Sequence, residues 1–175
     1  MWDHQGGSFL QTMEPWYALH VKSRQELRTA EHLIVRGVET FAPTYKVRRR
    51  WSDRIKEVDL PLFPSYVFCR HTADQRHNVL TTPGVTSIVS FGNTPMPVSE
   101  EEMASVHAIV SSGMPFGPWP YVPRVGDRVR IEEGCMRGLS GFLVRMRDEF
   151  RVVVNVELLQ RSVAVEIDRD LLRVA

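Results

Sequence analysis

The chain has 175 residues, 43% hydrophobic and 25% charged, with a formal net charge of +1. That length holds one domain or two small ones, and the charge is too small for the whole surface to be a nucleic-acid footprint, so any basic surface is local. The only two cysteines, Cys69 and Cys135, are far apart and lack CxxC or Cys/His spacing, which argues against a zinc site or a disulfide framework and fits a reducing cytosol.

Residues 1–14 are polar, with paired glycines and no basic segment leading into an apolar run. They read as a disordered tail, not a signal peptide. No stretch approaches the ~20 apolar residues of a membrane span, so a soluble, cytoplasmic protein is expected.

Trp16–Val21 is rich in strand formers and predicts a buried strand. Ser23 and Glu26 have capping-box spacing, and Leu27, Ala30, Leu33 and Ile34 follow at helical spacing, with Gly37 placed to end the helix. Lys22, Arg24, Arg28, His32 and Arg36 fall mostly off that apolar stripe and give the helix a basic face. A second strand is predicted over residues 38–43.

From Thr44 to Arg70 the chain alternates large and basic side chains around Ser52 and Asp53, then packs Leu62, Phe63, Tyr66, Val67 and Phe68 around two prolines. The first half predicts a charged two-stranded ribbon, the second an aromatic strand broken at Pro64. Between His20 and Lys56 ten Lys/Arg face four acids, so the basic surface is concentrated here.

A short helix is predicted over residues 73–80 and a strand over 85–91. Ser99 and Glu102 repeat the capping-box spacing, with Glu100–Glu102 where a helix dipole favours acids and Met103, Val106 and Val110 as the apolar stripe. Residues 113–123 hold four prolines and two glycines, which reads as an irregular, stiff linker between domains. Beyond it, strands predicted over 128–131, 141–146, 150–156 and 163–167 read as a small closed β-barrel.

No Walker loop, GxGxxG, HExxH, GxSxG or kinase signature occurs, and the six histidines lack ligand spacing. Cys69 has no sequence-local base. No enzymatic activity, metal or cofactor is expected, and the chain reads as a binder.

The order of Trp16–Tyr17, Leu62–Phe68, Thr82–Val85 and the glycine-bearing Val125–Gly141 segment resembles the NusG superfamily of transcription elongation factors. The resemblance covers nearly everything after Glu14. It implies an α+β NGN domain over residues 15–112, with an antiparallel sheet flanked by helices, then the linker and an all-β SH3-like KOW barrel over residues 124–175. In the KOW-like segment Gly134, Gly138 and Gly141 would permit tight turns and close backbone approach. Glu39–Pro43, the Arg48–Arg54 ribbon and Leu60–Phe63 look more like specialised antitermination paralogues of the RfaH, LoaP and UpxY kind than like the housekeeping factor.

The resemblance further implies partners. His20, Phe63, Tyr66, Phe68, Phe91, Met103 and Val106 match the surface that grips the clamp helices of RNA polymerase's largest subunit. Gln75, Arg76 and His77 occupy the place that meets the gate loop of the second-largest subunit. Lys22, Arg28 and His32 match positions turned toward the non-template DNA strand, and Arg24 lies beside them. Met136, Leu139, Leu158 and Leu159 match the barrel positions that bind a small-subunit ribosomal protein or Rho, and their lack of aromatics makes Rho doubtful. The function implied is suppression of pausing and termination in particular operons. The alternatives are a general NusG acting with Rho, or a KOW module that binds ribosome or RNA without polymerase.

Overall fold

The computed structural model describes residues 14–51, 54–121, 126–146, 149–168 and 171–174. The tail expected over residues 1–14 lies, except for Glu14, outside the described residues.

The N-terminal part is built on one antiparallel sheet. Its strands are β1 (Trp16–Val21), β2 (Glu39–Phe41), β5 (Tyr66–Arg70) and β6 (Val85–Ile88), in the order β2-β5-β1-β6, with the short β9 (Pro97–Val98) pairing the start of β1. Period-2 alternation divides each strand between two faces. Leu19, Val21, Val67 and Cys69 pack with Ala30 and Leu33 of helix α1 (Glu26–Val35) and Val79 of helix α2 (Arg76–Leu80). Trp16, Ala18 and Phe68 face the other way, toward Met103, Val106 and Ile109 of helix α3 (Glu100–Ser111).

Helix ends separate two identical sequence signals. At α3 the Ser99 hydroxyl accepts from the Glu102 amide, as its capping box predicts. At α1 the box does not form: Gln25 is the N-cap and gives no side-chain cap, while Glu26 is buried and accepts from the Ser65 amide at 2.8 Å. Nor is the expected apolar stripe kept, because Glu26, Thr29, Ala30 and Leu33 are buried while Leu27 and Ile34 stay exposed. Gly37 does end α1, at φ +75°. Its amide bonds to the Ile34 carbonyl and that of Val38 to the Leu33 carbonyl, closing a Schellman motif.

Among the described residues, strands β3 (Thr44–Trp51) and β4 (Arg54–Pro61) pair only with each other, forming the predicted ribbon. The chain breaks at Pro64 as expected, with Ser65 at φ +66°. The predicted strand over 85–91 is instead split into β6 and a two-residue strand β7 (Ser90–Phe91), which turns onto β8 (Thr94–Pro95).

The C-terminal sheet has six antiparallel strands. These are β10 (Phe116–Trp119), β11 (Arg128–Ile131), β12 (Ser140–Met146), β13 (Glu149–Val156), β14 (Arg161–Ile167) and β15 (Leu172–Val174), in the order β10-β14-β13-β12-β11-β15. Strand β10 corrects the reading of residues 113–123 as irregular throughout. It lies at a sheet edge, where the missing amide of Pro118 costs little. Gly141 permits a close approach: an added Cβ would sit 2.6 Å from both Val152 Cγ1 and the Val153 carbonyl oxygen. Gly134 and Gly138 adopt left-handed φ values of +81° and +89°.

Candidate functional site

The residues expected to meet the clamp helices converge on one face of the N-terminal sheet. His20 and Tyr66 are register partners on β1 and β5, and their rings stand 4.7 Å apart. Phe63, in the turn before β5, meets Phe68 edge-on at 5.1 Å. Met103 and Val106 project from α3 into the same cluster. Phe91 does not join them; it lies on β7 and is 84% exposed. Leu62, expected to pack with the aromatic stretch, joins the cluster, while sequence spacing missed Val98 and missed Ile109, which takes the buried place expected of Val110.

The centre of this face is covered, while His20 and Tyr66 are half-buried at its margin. Phe63 is 2% exposed, and Phe68, Met103 and Val106 are fully enclosed. The same continuous cluster contains Val129, Ile131, Met136, Leu139, Val152, Val154 and Val163 of the C-terminal sheet and its turns. Helix α3 therefore lies against the N-terminal sheet on one side and against β13 on the other.

The margin of the contact is polar. The Glu157 amide donates to Glu102 Oε1 at 3.3 Å, and the Cys135 thiol donates to the Ser112 carbonyl at 3.6 Å. A cavity of about 240 Å³ lies between Glu101, Glu102 and Ser105 of α3 and Arg128, Gly141 and Asn155 of the sheet. Burial pushes the Glu102 carboxyl up, the Glu157 amide partly offsets this, and the negative charges of Glu157 and Glu101 add to it. Tyr121 donates to Glu157 Oε2 at 2.5 Å, which raises its own phenol.

Polar groups also pack around the aromatic side chains of the N-terminal part. Arg70 bonds Glu100 Oε2 at 2.6 Å and stacks over Trp16 at 4.7 Å, so one acid of the Glu100–Glu102 run is held by an ion pair. His107 stacks on Phe41 at 3.7 Å. Burial lowers its pKa, and the nearby Arg70 charge lowers it further. Burial pushes the Cys69 thiol up to about 12, which removes the thiolate a nucleophile needs.

Of the gate-loop set, Arg76 and His77 are exposed on α2. Gln75 is half-buried: its carbonyl accepts from the Thr72 amide and its amide nitrogen donates to the Gly37 carbonyl. Of the DNA set, Lys22, Arg24 and Arg28 are exposed, whereas His32 is half-buried with its Nδ1 turned inward and unpartnered. Met136, Leu139 and Leu159 are buried in the shared cluster, and Leu158 packs on it. No residue of that last set stands free at a loop tip.

A family model described as "Transcription termination factor nusG" matches residues 14–107. The chain is 27% identical over 167 residues to the transcription termination/antitermination protein NusG of Lactococcus lactis, covering 87% of this chain and 89% of that one. It is 29% identical over 175 residues to the NusG of Thermus thermophilus, covering 87% and 94% respectively. A solved structure described as "Domain interaction in Thermotoga maritima NusG" aligns with a TM-score of 0.55 at 22% identity, covering 91% of this chain and 96% of that one. No helix is long and apolar enough to cross a membrane among the described residues.

Proposed function

Because the chain belongs to the NusG family of transcription termination factors, we propose that it is an elongation and antitermination factor that binds RNA polymerase through an NGN domain over residues 15–112. His20, Phe63, Tyr66, Phe68, Met103 and Val106 form the surface for the clamp helices, with Phe91 at its exposed margin. Gln75, Arg76 and His77 meet the gate loop. Bridging the two holds the polymerase closed around DNA, because the factor binds the active clamp state better than the paused one. Lys22, Arg24, Arg28 and His32 face the non-template strand, where a few phosphate contacts supply affinity and salt dependence.

Residues 124–175 form the KOW domain on this reading, with residues 113–123 as its tether and β10 as a strand lent to its sheet. Met136, Leu139, Leu158 and Leu159 belong to its partner surface, for which a small-subunit ribosomal protein is the favoured occupant and Rho is not. The paralogue-like ribbon and aromatic strand support service to particular operons over a housekeeping role.

The observation that carries this reading is the burial of Phe63, Phe68, Met103 and Val106 in one cluster with the C-terminal sheet. Apolar side chains gathered on one face suit a helix-in-groove contact, and here the chain's own second sheet occupies the groove. The factor is accordingly masked, and polymerase binding requires the two parts to separate. Capture of purified core RNA polymerase by the full chain and by residues 15–112 tests this. Binding by neither would return the function to a ribosome or RNA module.

A further inference from the structure

The β3–β4 ribbon has no role in the clamp, gate-loop or α1 surfaces. Its register sorts its charges into two groups. Toward the base, Lys46 opposes Asp59 and Arg48 opposes Glu57, and Glu57 pairs with both Lys46 (3.8 Å) and Arg48 (3.3 Å). Toward the tip, Arg49 stands directly opposite Lys56, and Arg50 and Arg54 follow. All four are exposed, and no described acid pairs with any of them. Over residues 49–56 the sequence sets these four cations against one acid, Asp53.

Like charges directly opposite on an antiparallel pair are destabilising. A ribbon needing only to stay soluble would alternate signs at its tip as it does at its base. The ribbon pairs with no other described strand, and although Tyr45 and Lys46 at its base lie beside β10, its outer part is exposed and open to a partner. By this register Arg49, Arg54 and Lys56 share one face of the ribbon and Arg50 lies on the other, so three cations face a phosphate backbone together and Arg50 adds its charge from the opposite face. A B-form major groove, about 12 Å wide, admits a two-stranded ribbon, whereas the A-form major groove is too deep and narrow. Three of the four cations are arginines, whose planar fork suits phosphate.

We propose that the ribbon tip, through Arg49, Arg50, Arg54 and Lys56, is a second nucleic-acid site that grips the phosphodiester backbone of a double helix, with B-form DNA preferred. The site is open in the masked arrangement, so it holds nucleic acid before the two parts of the chain separate. It is independent of the polymerase reading and is tested without polymerase.

The test is fluorescence anisotropy of the full-length protein with a labelled 20-base-pair DNA duplex and, separately, a 20-base-pair RNA hairpin, across a salt series. The Arg49→Gln/Lys56→Gln variant should bind the DNA duplex about tenfold more weakly at low salt, and its slope of log affinity against log salt should fall by about 1.8, two contacts at roughly 0.9 each. Glu57→Gln, which frees Lys46 and Arg48, should bind more tightly than the parent, a gain that misfolding cannot produce. A matching effect with the RNA hairpin but not the DNA would keep the phosphate chemistry and assign the source to RNA. Unchanged affinity and slope in Arg49→Gln/Lys56→Gln would overturn the proposal and leave the tip charges as edge protection against strand pairing.

Discussion

The backbone amide of Glu157, in the 3-10 turn after β13, donates to the side chain of Glu102 on α3 at 3.3 Å. Residues 55 positions apart are thereby tied across the contact between the two halves of the chain. The bond sets a carboxylate beside a second carboxylate at the edge of an apolar cluster, so the contact carries its own charge penalty. Burial is the largest reason the Glu102 carboxyl is raised from 4.5, with the Glu157 and Glu101 charges adding to it.

The sign of the resulting pH dependence follows from that direction. A carboxyl raised in the docked state opposes docking while ionised, and the opposition is relieved as pH falls through the raised value toward 4.5. Docking should therefore tighten on acidification from neutrality. Hydrogen exchange at the Glu157 amide, corrected for its intrinsic rate, should slow over that window. In Glu102→Gln, which keeps the accepting oxygen, the slowing should be present already at neutral pH and vary little with acid.

His107 predicts the opposite dependence for the N-terminal part itself. Burial and the Arg70 charge lower its pKa from 6.5. A histidine depressed in the folded state leaves stability intact above 6.5 and erodes it as pH falls below that value, because the unfolded chain takes up the proton first. Thermal melts should show this loss in the parent and a flatter profile in His107→Phe, which keeps a ring to stack on Phe41.

Glu26→Ala should destabilise the chain by about 1–3 kcal/mol, measured in urea, because the Ser65 amide then lacks an acceptor in a part-buried turn. Ser23→Ala should be nearly silent, since the α1 helix has no side-chain cap to lose. Equal costs for the two changes would contradict the assignment.

The two thiols should separate cleanly. Cys69 is buried with its pKa pushed up to about 12, and Cys135 is exposed beside the Ser112 carbonyl. An alkylating reagent at neutral pH should label Cys135 in the native protein and reach Cys69 only after denaturation. Native labelling of Cys69 would show that the N-terminal sheet opens far more readily than its packing implies.

The element pattern was largely legible from local chemistry. Residues 150–156 alternate and branch as a strand must, and Ser99 caps its helix. Ser23 carries the same local signature and fails, because Glu26 is claimed by Ser65, 39 positions away. Strand β10 was hidden by its prolines, whose tolerance depends on edge position, a property of the whole sheet. Leu27 and Ile34 misled for the same reason: helical spacing names a stripe, and the sheet beneath decides which stripe is buried. The aromatic face was visible as a set of residues. That the second sheet covers it was not, since nothing near Phe63 in the chain records a partner some 70 to 100 positions later.

The most direct test is retention of purified core RNA polymerase by immobilised full-length protein and by residues 15–112, each as parent, Phe91→Ala and Phe63→Ala. Phe91 is exposed, so its change should leave stability within about 0.5 kcal/mol. Phe63→Ala should cost about 3–5 kcal/mol of stability, so its fold is checked by circular dichroism alongside. The masked-factor account predicts strong retention by residues 15–112, weak retention by the full chain, and loss of retention in both variants of the shorter protein. Equal retention by the two parents would contradict masking, and retention unaffected by either phenylalanine would remove this face from the polymerase contact.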